Sequence, residues 1–175
     1  MIDAYEKPIS FSQLLAFNRK TAPSLAGLVL LLGFFLQYFL GWKWQQLEEW
    51  QQLELYKRWS GLALALLFGF QWMLTASRVL PGFRKYALQL ATLHKWAGAI
   101  SPLLFYTHSS GIGYGYLGLL TYIFVANTLI GLVNLELVRN NSLWLFNGWM
   151  ITHVALSMVL TVLMGFHIGI VFYYK

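Results

Sequence analysis

The chain has 175 residues, of which 58% are hydrophobic and only 10% charged, with a net charge of +6 and a mean hydropathy of +0.58. Soluble domains carry about a quarter charged residues, so this composition is that of an integral membrane protein. The absence of cysteine excludes disulfides, iron–sulfur clusters, thiolate zinc sites and covalently attached c-type haem.

The first 23 residues contain Asp3 and Glu6 and lead into no cleavage pattern, so they read as a cytoplasmic N-terminal segment and not as a signal peptide. Within them, 11–20 (FSQLLAFNRK) suits a short surface-lying helix or an unstructured cap equally well. Five apolar segments follow, at 24–41, 59–77, 86–108, 116–135 and 143–173, each near the roughly 20 residues that a spanning helix needs. Residues 24–175 are therefore expected to form one all-α membrane domain of about five transmembrane helices. The last segment is long enough to tilt or protrude. Short connections after the third and fourth segments make the last three antiparallel neighbours in sequence, so the third and fifth run parallel.

Eight basic residues against three acidic ones fall on the side of the N-terminus, and four against three on the other, giving +5 and +1. The positive-inside rule then places the N-terminus in the cytoplasm and the C-terminus outside, in the simplest case across a prokaryotic cytoplasmic membrane. Because the basic residues are spread over three loops, a nucleic-acid partner has no support. The outer connection, about 42–57, contains WQQLE twice, with Trp44, Leu47, Trp50 and Leu53 at three-residue intervals. This predicts an interfacial helix anchored by tryptophan, whose acids Glu48, Glu49 and Glu54 also suit docking of a basic soluble or anchored cytochrome c.

All four histidines lie in predicted spans: His94 and His108 in the third, His153 and His167 in the fifth. Both pairs are fourteen residues apart. Fourteen steps end only about 40° short of four full turns and rise about 21 Å, so each pair shares a helix face at two depths. One metal ion cannot bridge that distance. Two parallel helices facing each other instead present His94 with His153 and His108 with His167, the geometry for two stacked haems, each taking one imidazole from each helix. A single membrane histidine more often makes an interhelical hydrogen bond or joins a proton relay; two equal intervals on parallel helices are a poor fit to that reading. Gly98, one turn after His94, and Gly165 and Gly169, flanking His167, offer room for a flat macrocycle. Ser101-Pro102, midway between His94 and His108, is expected to kink the helix by freeing the Gly98 carbonyl.

Paired H-x13-H on parallel helices is similar to the haem-binding core of diheme membrane cytochromes b, above all the four-helix bundle of cytochrome b in quinol:cytochrome c oxidoreductases. His94-Lys95-x-x-Gly98 with His108 following also resembles the ferric-reductase-type transmembrane domain. The resemblance covers roughly residues 86–173 and implies two haem b groups, with His94 and His153 as iron ligands of an inner haem and His108 and His167 of an outer one. The chain lacks the Pro-Glu-Trp-Tyr motif of the quinol-oxidising family and has no room for flavin or nicotinamide domains. The resemblance thus implies a non-autonomous electron-transfer subunit of a membrane oxidoreductase, with donor and acceptor on partner subunits; quinone chemistry is compatible with it but no motif requires it. Arg84, Lys85, Lys95 and Arg139 are candidate partners for the inner haem propionates. Ser109 and Ser110, with Lys43, Lys57 or Arg58, are candidates for the outer ones. The alternative role of these cations is to set topology.

Gly111-Ile112-Gly113-Tyr114-Gly115 resembles a potassium-channel filter, but no pore helix precedes it and Gly111 replaces the filter threonine. A glycine turn with interfacial tyrosines is the simpler expectation. A proton-coupled transporter, an ion channel using Gly113-Tyr114-Gly115, and an accessory haem-holding subunit are the competing classes.

Overall fold

The computed structural model describes residues 21–133 and 143–173. The stretch 11–20, most of the N-terminal segment, the end of the fourth predicted span and Arg139 lie outside the described residues.

Among the described residues the chain is helical throughout, with no strand. Helix α1 (Ala22–Leu40) takes Pro23 in its first turn, where the missing N–H costs nothing. It stops at Gly41, in the left-handed region at φ 66°; Gly41 N–H bonds to the Tyr38 carbonyl and Trp42 N–H to that of Gln37. Helix α2 (Gln45–Gln52) is shorter than the sequence suggests, because the chain becomes extended at Leu53 before α3 (Glu54–Gln71) begins. Of the three-spaced stripe only Leu47 turns inward, while Trp44, Trp50 and Leu53 stay exposed. A bend at Trp72 leads into α4 (Met73–Val79), and a 3-10 turn (Pro81–Tyr86) leads into α5 (Ala87–His108).

Helix α5 passes through Pro102, which has no N–H for the Gly98 carbonyl four residues earlier. The Ser101 hydroxyl donates to that carbonyl at 2.8 Å, so the acceptor freed by proline is satisfied locally. The other end of α5 is closed from three elements. Gln51 Nε2 donates to the Tyr106 and Thr107 carbonyls at 2.8 and 3.1 Å, and the Tyr56 hydroxyl to Thr107 at 3.1 Å. Gln37 Nε2 of α1 donates to Ser110 just beyond the helix. Carbonyls that an isolated helix end would leave unpaired are thereby bound. The filter-like glycines form the turn that joins α5 to α6 (Tyr116–Leu132): Gly113 and Gly115 have φ 77° and 59°, and a Cβ on Gly113 would come within 2.9 Å of Leu117. Finally α7 (Leu143–Tyr173) runs for 31 residues with only Leu160 buried.

Three helical stretches are long and apolar enough to cross a membrane: α1, α3 with α4 (Glu54–Val79), and α7. The five expected spans are therefore all helices, but two fall short of that standard for different reasons. Helix α6 has 17 residues, and α5 is diluted by Gln89, His94, Lys95 and His108.

Helix α5 is the hub. It packs against α1, α3 and α6, while α7 rests mainly on α6 and touches α3 lightly. The central cluster draws one residue from each long helix, Phe34, Leu64, Phe105, Phe124 and Leu160. Phe105 stacks on Phe124 at 4.8 Å, and Phe34 meets Phe105 edge-on at 5.4 Å. Replacing Ser101 by Ala leaves the buried Gly98 carbonyl without a donor. It should cost about 1–3 kcal/mol, read as a lower unfolding midpoint in detergent.

Candidate functional site

The structure brings the four histidines together as two pairs. His94 of α5 faces His153 of α7 with ring centroids 6.2 Å apart and planes at 87°; His108 faces His167 at 6.4 Å and 72°. Like levels are paired, so α5 and α7 run parallel. Their backbones make no extended contact, and the rings meet across the gap. No hydrogen bond joins the rings of either pair. Two imidazoles bound at about 2 Å on opposite sides of one metal would set their ring centres about 6.3 Å apart, which is the separation seen at both levels.

The α5 rings are oriented by hydrogen bonds. His94 Nδ1 lies 3.3 Å from the Gln71 carbonyl, which can only accept, so Nδ1 carries the proton. Ser60 Oγ donates its proton to the Tyr56 carbonyl at 2.8 Å and thus accepts from His108 Nδ1 at 3.1 Å. Both histidines keep Nε2 as the free lone pair, the arrangement by which outer partners set a metal-binding tautomer. On α7, Nδ1 of His153 makes no well-formed hydrogen bond beyond a weaker approach to the Asn127 backbone, and Nδ1 of His167 is buried without a protein partner among the described residues. So is Gln71 Oε1, in the wall beside His94.

Two glycines make room for the rings, and neither stood out in the sequence. A Cβ on Gly61 of α3 would come within 3.0 Å of His108 Cε1, and one on Gly131 of α6 within 2.9 Å of His153 Cε1. The glycines chosen by their place beside histidine do less. Gly98 approaches Gln71 Nε2 at 3.4 Å, and Gly165 and Gly169 face nothing within 4 Å. The useful glycines sit on helices other than the one carrying their histidine, so proximity in sequence could not reveal them.

Each pair opens into a cavity. The inner one, about 380 Å³, is lined by His94 and His153 together with Gly98, Lys95, Arg78 and Gly131. The outer one, about 620 Å³, is lined by His108 and His167 with Ser109, Gly61, Lys57 and Arg58. Both volumes are in the range of small-molecule and cofactor sites. Phe68, Leu160 and Met164 belong to both walls and separate the two chambers. Of the residues proposed for propionates, Lys95, Ser109, Lys57 and Arg58 line a cavity. Arg84 and Lys85 lie on the 3-10 turn and line neither; Arg78, one turn before Pro81, takes that place. Lys43 is paired with Glu48, and Arg58 reaches Glu54 at 3.6 Å.

Among the described residues no three His, Cys, Asp or Glu side chains gather to hold a bare metal ion. The sites offer two imidazoles each, which suits a metal that brings its remaining ligands with it. Compared with known protein families, curated proteins and solved structures, the chain matches none. The class of protein thus rests on the geometry alone: an all-helical chain with paired imidazoles at two levels.

Gly131→Ala must displace the His153 ring and should cost about 1–3 kcal/mol through overpacking, with Gly61→Ala doing the same to His108 more mildly. Gly33→Ala, where a Cβ meets nothing within 4 Å, is the control and should be neutral or stabilising. Unfolding midpoints of the three variants in detergent compare them directly.

Proposed function

We propose that the chain is a diheme b-type cytochrome, a membrane subunit that passes electrons between partner redox subunits, or quinone, on its two sides. The observation that carries this reading is the pair of imidazole couples, at 6.2 and 6.4 Å, each opening into a cavity of cofactor size. Bis-imidazole sites with no third protein ligand fit an iron whose equatorial positions are filled by a porphyrin. When bound, each haem supplies reversible one-electron chemistry at its iron.

The residues of the chain have separate tasks. His94 and His153 would hold the inner group and His108 and His167 the outer one. Gln71 and Ser60 fix the tautomer and the direction of the α5 imidazoles and raise their basicity, which favours the ferric state. Arg78 and Lys95 at the inner cavity, and Lys57 and Arg58 at the outer one, supply cations for propionates. The aromatic and aliphatic layer between the chambers keeps water out of the roughly 21 Å that separates the two levels. A broad girdle of exposed Val29, Leu32, Leu36, Leu66, Val159 and Val162 supports a lipid-facing bundle, which in this reading includes α5 and α6 beside the three long apolar helices. The bias of positive charge supports a cytoplasmic N-terminus.

A proton-coupled transporter would need the histidines linked to one another or to other polar groups by a hydrogen-bonded chain. The rings of each pair are not hydrogen-bonded to each other, and the apolar layer of Phe68, Leu160 and Met164 lies between the levels. The channel reading loses its main support once Gly113 and Gly115 form a helix-connecting turn.

A dithionite-reduced minus oxidised spectrum of the purified protein should show a b-type α band with two haems per chain. His94→Ala or His153→Ala should remove one haem and leave the other; so should His108→Ala or His167→Ala. Absence of haem from the native protein sinks the proposal, and retention of two haems in a single-histidine variant refutes the pairing.

A further inference from the structure

The four imidazoles are not fixed in the same way. Rotation of a histidine ring about its last side-chain bond is broad, so a defined ring plane needs an external constraint. On α5 that constraint is a hydrogen bond, to the Gln71 carbonyl for His94 and to Ser60 for His108. His153 Nδ1 has no well-formed hydrogen bond, only a weaker approach to the Asn127 backbone. Its ring is bounded by packing instead. Trp149, one turn earlier on α7, lies parallel to it within 5° at 6.0 Å between centroids. The indole is itself anchored, its Nε1–H donating to the Ile130 carbonyl at 2.7 Å, near the C-terminal end of α6 where helix carbonyls lack an internal donor. The next residue is Gly131, whose missing side chain lets α6 pass against the His153 Cε1 edge. One two-residue stretch of α6 thus anchors the indole and borders the imidazole. The outer pair has no equivalent: Tyr116 meets His167 at a 47° tilt, and the ring planes of that pair cross at 72°.

We infer that Trp149 is a positioning residue: anchored on Ile130 and working with the bare backbone at Gly131, it holds the His153 plane across that of His94. This inference rests on the haem reading. The ring angle has a direct physical consequence. Imidazoles at right angles donate into different d-orbitals of the iron and keep those orbitals nearly equal in energy. Aligned rings donate into the same orbital and split them. A ferric low-spin iron between crossed rings gives a highly anisotropic paramagnetic resonance signal with one very large g value, and aligned rings give an ordinary rhombic signal.

The test is electron paramagnetic resonance on the oxidised, haem-loaded protein, with redox titration alongside. A His167→Ala background, which keeps only the inner pair intact, assigns the inner signal. Trp149→Leu, which removes both stacking and anchor, should move the inner signal from large g toward the rhombic form and shift the inner midpoint potential, leaving the outer haem unaltered. Trp149→Phe, which keeps a flat ring but loses the N–H, should retain most of the large-g character. An inner signal unchanged in Trp149→Leu overturns the inference, as does an equal change in both haems. Loss of the inner haem from Trp149→Leu alone, with Trp149→Phe restoring haem and large-g signal together, supports it. Loss from both variants overturns it, since Trp149 is then a prop for the site and not a setter of its angle. If the native protein carries no haem, the functional reading has failed; if it carries two and Trp149→Leu is silent, only this inference has.

Discussion

The gap between facing imidazoles is the constraint on which the rest of the structure depends. Helices in a bundle normally approach until their side chains interlock, at 8–10 Å between axes. Helices α5 and α7 do not, because at two levels a pair of rings stands end to end across the space between them. Holding two parallel helices at that distance leaves chambers above and below the Phe68–Leu160–Met164 layer. It also leaves α7 with a single buried residue in 31. A helix so poorly covered by its own protein is stable only if lipid, bound cofactor or a partner subunit covers the remainder.

Because α7 contributes little, the burden of rigidity falls on α5. It carries several polar groups, and the ones that shape it have assigned partners. Ser101 satisfies the carbonyl that Pro102 frees; Gln51, Tyr56 and Gln37 bind the last carbonyls around His108; Gln71 and Ser60 orient its two imidazoles. In hydrocarbon an unpaired polar group costs several kcal/mol, so these bonds fix the register of α5 more strictly than apolar packing alone would. The short helix α2 has a purpose in this scheme beyond anchoring at an interface. It carries Gln51 to the end of α5, next to the outer histidine.

What could be read from the sequence follows the range of the interaction. The interval of fourteen between histidines is a property of a single helix, and two equal intervals sufficed to anticipate same-level pairing on parallel helices. The carbonyl freed by Pro102 was likewise predictable, being four residues away. Gly61, Gly131, Ser60 and Gln71 were not, since each acts on a histidine 22 to 48 residues distant through a helix–helix contact. At the inner cavity Lys95 and Arg78 line the wall, whereas Arg84 and Lys85, six and seven residues past Arg78, are carried off by the 3-10 turn. The WQQLE repeat suggested one helix across 42–57, whereas the extended backbone at Leu53 divides it, because α3 must begin there to bring Ser60 and Gly61 level with His108.

The symmetry of the ligand pairs contrasts with the asymmetry of their supports, and that contrast bears on what the two levels do. At each level the α5 imidazole has a well-formed hydrogen bond and the α7 imidazole has none, so the basicity of the rings is raised chiefly on α5 at both levels. If the pairs hold haem as proposed, the number of hydrogen-bonded rings gives little reason for the two sites to differ in potential. Differences must come from elsewhere: from the nature of the acceptor, a backbone carbonyl for His94 and a hydroxyl for His108; from cavity size, about 380 against about 620 Å³; and from ring angle, 87° against 72°. The smaller chamber is also the one whose rings are more nearly perpendicular and whose α7 histidine is stacked on an anchored indole. In the proposed reading, these unlike supports would give the two groups unlike potentials, which a downhill step between them requires.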